Sequence, residues 1–194
     1  MRLSVWSQRA PGQRQRPELA RDLLGQAVAL EAGEDRPVGH QAGQPPRVEG
    51  FAASLSRTDD LAMCVVGTCG AVGIDVERLR PWSELTEMAS LVHPAPPRDA
   101  RGLLELWTRK EALSKAMGTG LPNDVRALSV PERSPAACEW FRQDGWLWIG
   151  CPCESGAVAS LVVQNEGADV EGGYDMIEIR EKPAIRIWSM EIHC

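Results

Sequence analysis

A chain of 194 residues with 43% hydrophobic content can bury a core as one compact unit of two similar halves, and is not disordered as a whole. Its formal charge of −6, from 21 Lys+Arg against 27 Asp+Glu, excludes a broad nucleic-acid surface, which needs dense cationic charge to neutralise phosphates. No apolar run of about 18 residues exists, so no membrane span is expected. The stretch before Pro17 carries Arg2, Arg9, Arg14 and Arg16 without an apolar run, unlike a secretory signal, and a cytoplasmic protein is the expectation. The six cysteines include Cys151-Pro-Cys153, which lacks the C-x-x-C spacing of zinc or redox sites, and they read as buried or idle thiols.

In chain order, Leu19, Leu23, Leu24, Ala27 and Leu30 recur at helical spacing and predict a helix over 19–30. Residues 33–50, rich in Gly, Pro and Gln, read as a long loop. Strands are predicted over 51–56 and 61–67, with 57–60 as the turn between them, and over 72–77. The clearest helix runs over 99–117, with Gly118 as its natural stop. Further strands are predicted over 128–130, 146–149 and 157–163. Helix followed by strands, given twice, fits an α+β fold of two pseudo-symmetric halves, each a helix packed on a small, mainly antiparallel sheet. The halves are expected at 1–71 and 72–165 with the active site in the cleft between them, and the charged tail 166–194 finds no place in this scheme.

Two short segments carry chemistry. Asp75 and Glu77 stand two residues apart on a strand, so both side chains point to one face, about 7 Å apart at Cα. Two such carboxylates repel unless a proton or cation lies between them, and a hard divalent ion such as Mg²⁺ is a natural partner. A solvated strand edge would also accommodate the pair. On the long helix Glu111 and Lys115 lie four residues apart on one face, either as a surface ion pair or as working groups. Trp107, one turn earlier, would pack that face against the body, whereas Lys110 points elsewhere.

Gly73-Ile74-Asp75-Val76-Glu77, followed by Trp107-Thr108-Arg109-Lys110-Glu111-Ala112-Leu113-Ser114-Lys115-Ala116-Met117-Gly118-Thr119-Gly120-Leu121, resembles the signature of 4′-phosphopantetheinyl transferases. The larger, surfactin-synthetase-activating type matches best. The resemblance implies transfer of the phosphopantetheine arm of coenzyme A to a serine of an apo acyl or peptidyl carrier protein, with release of 3′,5′-ADP. It implies Mg²⁺ on Asp75, Glu77 and Glu111, with Lys115 on the pyrophosphate and Lys110 as a second candidate there. Glu111 or a metal-bound water would take the serine proton. The carriers such proteins serve belong to fatty-acid, polyketide and nonribosomal peptide synthesis, so a part in secondary-metabolite biosynthesis is implied, and the proteins are usually monomers.

The coenzyme A side of the resemblance is less regular. Gly43-Gln44-Pro45 stands where the family has Gly-Lys-Pro, leaving Pro45 but no lysine. Within Ser54-Leu55-Ser56-Arg57-Thr58, Ser56 and Arg57 fall at the family's Ser-His pair, since placing the histidine at Leu55 would leave the turn too long, and arginine keeps a phosphate donor with permanent charge. Arg21 lies in the helix that lines the coenzyme A phosphates, and Arg14 or Arg16 could add to it. Pro96 stands where many relatives have a further acid, with His93 nearby. A basic patch of Arg98, Arg101 and Arg109, walled by 121–130, would meet the carrier. These departures keep a second reading open, a catalytically impaired regulator that binds coenzyme A or a carrier. An unrelated Mg²⁺-dependent phosphotransferase would want a phosphate-cradling G-x-x-x-x-G-K-[ST] loop, which is not present.

Overall fold

The computed structural model describes residues 2–9, 17–41, 44–132, 140–151, 153, 156–164, 175–179 and 185–191. The chain runs β1 (Arg2–Arg9), α1 (Pro17–Ala32), β2 (Ala52–Arg57), β3 (Leu61–Gly67), β4 (Val72–Arg78), α2 (Thr86–Val92), α3 (Ala100–Met117), β5 (Phe141–Gln143), β6 (Trp146–Gly150), β7 (Ala157–Gln164), β8 (Asp175–Ile179) and β9 (Ile185–Glu191). One sheet has the order β2-β3-β1-β9-β8 and the other β4-β7-β6-β5. Their strand pairs are antiparallel throughout. This is the expected α+β architecture of two similar halves. No helix among the described residues is long and apolar enough to cross a membrane.

Strand alternation builds the layers. On β3, Leu61, Met63 and Val65 join Leu3 and Val5 of β1 in a core shared with the second sheet. Ala62, Cys64 and Val66 point the other way, onto Leu23, Leu24 and Ala27 of α1. The second half repeats the plan. Val72, Ile74 and Val76 of β4 and Ala159, Leu161 and Val163 of β7 enter the shared core. Val158 and Val162 face α3, against Leu103, Leu104, Ala112 and Leu113. Helices α1 and α3 therefore cover the outer faces of two sheets packed inner face to inner face.

Helix α3 is sharply bounded. Asp99 caps its start by accepting the Gly102 N–H at 2.8 Å, and Gly118 ends it in the left-handed region at φ 67. Its position over β4 is set at Gly73, where a Cβ would overlap the Ala112 carbonyl oxygen and crowd the Ala116 nitrogen. A strand glycine here permits close backbone approach.

The structure departs from the sequence reading in several places, and α2 and β5 are elements that the sequence did not announce. Residues 128–130 form no strand. The carbonyls of Val125, Arg126 and Leu128 are instead taken by Lys110 Nζ at 2.8, 3.4 and 2.9 Å, and Val130 packs into the α3 core. Residues 2–9, for which the sequence announced no element, form the central strand β1. The segment after 165 is not left over, because β9 pairs with β1 and sends Ile185 and Ile187 into one core and Met190 into the other. Of the cysteines, Cys64 is buried and its thiol is pushed up by desolvation, and burial raises Cys69 to about 11, which leaves both inert. Cys138 and Cys194 lie outside the described residues.

Candidate active site

The two halves meet along β2 and β4 through side chains. Ser54 Oγ accepts the Ile74 N–H at 3.2 Å, and Ser56 Oγ accepts the Val76 N–H at 3.3 Å. On β4, alternation sends Ile74 and Val76 into the core and turns Gly73, Asp75 and Glu77 to α3. The contact at Gly73 then brings Glu111 and Lys115 over the same face.

Asp75 is buried, at 5% exposure. Its Oδ1 accepts from Ser56 Oγ at 2.7 Å and from Lys115 Nζ at 2.6 Å. Its Oδ2 is buried without a hydrogen-bond partner. Lys115 also donates to the Ile74 carbonyl at 3.1 Å. Glu77 and Glu111 are half-buried, and both carboxyls are held above their ordinary range. Desolvation is the main cause in each, followed by the charge of Asp75. Lys115 pulls both back down, and Glu77 also accepts a hydrogen bond from Trp107 and faces Arg80 at 3.3 Å. Three carboxylates thus sense one another around a single ammonium.

Beside this cluster lies a cavity of about 410 Å³. The first half contributes Arg21, His40, Gln44, Pro45, Ser54 and Leu55 to its wall. The second contributes Glu111, Ser114, Lys115, Gly118, Gly120 and Leu121. Pro45 packs at the end of α3, where a Cβ on Gly118 would stand 3.5 Å from its ring. Partial burial and then the charge of Arg21 lower the His40 pKa. The cavity therefore has one wall from α1 and the following loop, where Arg21 is the cation and His40 is held toward its neutral form, and an acid–ammonium wall from α3.

The residues singled out in the sequence separate accordingly. Arg21, Pro45, Glu111 and Lys115 line the cavity, with Asp75 and Glu77 directly behind Lys115 and Glu111. Ser56 and Arg57 do not line it: Ser56 is turned into the seam and Arg57 is exposed at the end of β2. Lys110 has another task, since burial lowers its pKa and its ammonium is fully engaged by the three carbonyls of 125–128. Arg109 is buried at 2% exposure and cannot join a surface patch, whereas Arg98 and Arg101 are exposed. His93 Nδ1 accepts the Ala95 N–H at 3.1 Å in a local turn. Gly43, Arg14 and Arg16 lie outside the described residues. The sequence reading missed His40 and Ser114, and it set Leu55 aside in favour of Arg57, whereas Ser54 and Leu55 are the pair that lines the cavity. His40 sits in a loop without periodicity, and only its place three residues before Gly43 marks it.

Among the described residues, no three acidic, histidine or cysteine side chains are gathered around one point as a finished metal cage. The donors nevertheless suit a hard divalent cation. They comprise a buried carboxylate oxygen without a partner and two glutamates whose ionisation burial and Asp75 oppose.

Such a cleft, walled by two similar halves and carrying clustered carboxylates beside a pocket that presents Arg21 and Lys115, suits an enzyme that handles a phosphorylated ligand. Residues 71–150 match the model of the 4′-phosphopantetheinyl transferase superfamily, a segment that holds Asp75, Glu77, Glu111 and Lys115. Over 165 residues the chain is 31% identical to the 4′-phosphopantetheinyl transferase HetI of Nostoc sp. (strain PCC 7120), a match covering 77% of this chain and 69% of that protein. The chain belongs to the 4′-phosphopantetheinyl transferase superfamily, and its activity class is phosphopantetheinyl transfer.

Proposed function

We propose that this protein, as a member of the larger surfactin-synthetase-activating type, moves the phosphopantetheine arm of coenzyme A to a serine of an acyl or peptidyl carrier protein. The serine Oγ forms a bond to the β-phosphorus, the bond from that phosphorus to the bridging oxygen breaks, and 3′,5′-ADP leaves. The observation that carries the reading is the convergence of Asp75, Glu77, Glu111 and Lys115 on one side of a cavity whose other side presents Arg21, His40 and Pro45.

Asp75, Glu77 and Glu111 would hold Mg²⁺, which when bound neutralises charge on the pyrophosphate. Lys115 brings a positive charge to the cavity wall, fixed by Asp75 and the Ile74 carbonyl, and contacts the same phosphates. Glu111 accepts the serine proton. Its raised pKa moves it toward the working range of a general base, a role worth typically ~10²–10⁴-fold. Arg21 and His40 face the nucleotide end. Lys110 is left out of the ligand set because its donors are engaged, and Arg57 because it lies off the cavity. Arg98 and Arg101 remain as the exposed basic residues for carrier docking.

Release of 3′,5′-ADP tests the reaction. With Mg²⁺ and coenzyme A, the nucleotide should appear in step with added apo carrier and stop when its serine is replaced by alanine. Tight coenzyme A binding without nucleotide release, across several carriers, would favour the impaired regulator instead.

A further inference from the structure

Ser56 is buried at 6% exposure, away from the cavity wall, and its hydroxyl is used twice. Its Oγ accepts the Val76 N–H at 3.3 Å and donates to Asp75 Oδ1 at 2.7 Å. The amide can only donate, so the hydroxyl proton is left for the carboxylate, and the bond is charge-assisted. Lys115 Nζ brings a second donor to the same oxygen at 2.6 Å. Two donors occupy Oδ1, while Oδ2 stays buried and unpartnered. Ser54, two residues earlier on the same face of β2, makes the equivalent seam bond to the Ile74 N–H at 3.2 Å but touches no carboxylate. The seam thus contains its own control for the grip on Asp75: Ser54 joins the halves and lines the cavity without touching a carboxylate, and Ser56 joins them and also grips Asp75.

We infer that Ser56 is the positioning residue of Asp75: with Lys115 it holds Oδ1, and so leaves Oδ2 as the atom offered to a divalent cation. This rests on the metal reading above. It gives Ser56 a different task from contact with a coenzyme A phosphate. It also explains how Lys115 and a cation can use one carboxylate together, on opposite oxygens.

Mn²⁺ binding followed by electron paramagnetic resonance, with neither coenzyme A nor carrier present, separates the possibilities. Ser56→Ala should weaken Mn²⁺ affinity about 10–100-fold, the usual cost of losing a residue that orients a metal ligand. Ser56→Thr, which keeps the hydroxyl, should retain most of the affinity. Ser54→Ala should lower the melting temperature yet bind Mn²⁺ close to the unsubstituted protein. If Ser56→Ala does not fold, Ser56→Cys, with a poorer donor of similar size, takes its place with the same expected loss. Unchanged Mn²⁺ affinity on removing the Ser56 hydroxyl, or an equal loss in Ser54→Ala, overturns the assignment while leaving the metal reading intact. Failure of the unsubstituted protein to bind Mn²⁺ overturns the metal reading, and the assignment falls with it.

Discussion

At Asp75, Glu77 and Glu111 the protein concentrates negative charge where burial opposes it. In Glu111, desolvation outweighs the help of Lys115, so the folded chain holds the carboxyl proton more tightly than the unfolded chain does. Stability therefore falls as pH rises from the ordinary value of 4.5 toward the raised one, and stays lost above it. Glu111→Gln should accordingly melt at a higher temperature than the unsubstituted protein at neutral pH without metal, and the gain should vanish below pH 4.5. The same substitution should abolish transfer. A lower melting temperature for Glu111→Gln at neutral pH would mean that the carboxylate is a structural partner and not a strained working group. That these side chains share faces was legible in the sequence because Asp-x-Glu on a strand and Glu-x-x-x-Lys on a helix each fix a face, whereas the roles given to them came from the resemblance to phosphopantetheinyl transferases. The Ser56–Asp75 bond was not, since nineteen positions separate its partners and only the packing of β2 on β4 brings them together.

At the scale of elements, one glycine and one lysine set the site's geometry. Gly73→Ala should push α3 off β4, because the new methyl meets helix backbone and not a flexible side chain. A cost of about 1–3 kcal/mol is expected from overpacking, read from urea unfolding. A displacement of about 1 Å at Glu111 should also lower kcat by roughly 10²-fold. Lys110 ties α3 to the 125–128 turn. Lys110→Met should cost about 1.5–3 kcal/mol of stability through lost charged hydrogen bonds while leaving coenzyme A affinity unchanged. Loss of coenzyme A affinity with stability intact would instead make Lys110 a phosphate ligand. Helical periodicity made α1 and α3 readable, and short apolar runs made β3, β4 and β7 readable. Leu128-Ser129-Val130 misled because apolar–polar–apolar alternation reads as a strand, whereas a buried ammonium takes the Leu128 carbonyl and Val130 packs into the α3 core.

For the whole molecule, the first sheet is completed by chain ends distant in sequence. β1 lies between β3 and β9, and neither neighbour is implied by local pattern, which is why the 166–194 segment could not be placed from sequence. A chain ended at residue 184 should fail to fold. It exposes one edge of β1 and strips Ile185, Ile187 and Met190 from two cores, each such burial being worth about 1.5–3 kcal/mol. A native-like circular-dichroism melt from that shortened chain would show that β9 is dispensable. The two-half plan also puts the cavity where the halves meet, so the nucleotide wall and the acidic wall come from different sequence regions. The acidic wall was legible as a motif. The opposite wall was legible only in part: Arg21 and Pro45 were read from the sequence, whereas His40 and Leu55 share no spacing with them and are joined to them only by the fold.

The most direct measurement is the mass of an apo carrier protein after incubation with this protein, coenzyme A and Mg²⁺. The carrier should gain one phosphopantetheine group, and the gain should disappear with Asp75→Ala or when Mg²⁺ is chelated. No gain with any of several carriers, or full transfer by Asp75→Ala, would contradict the account.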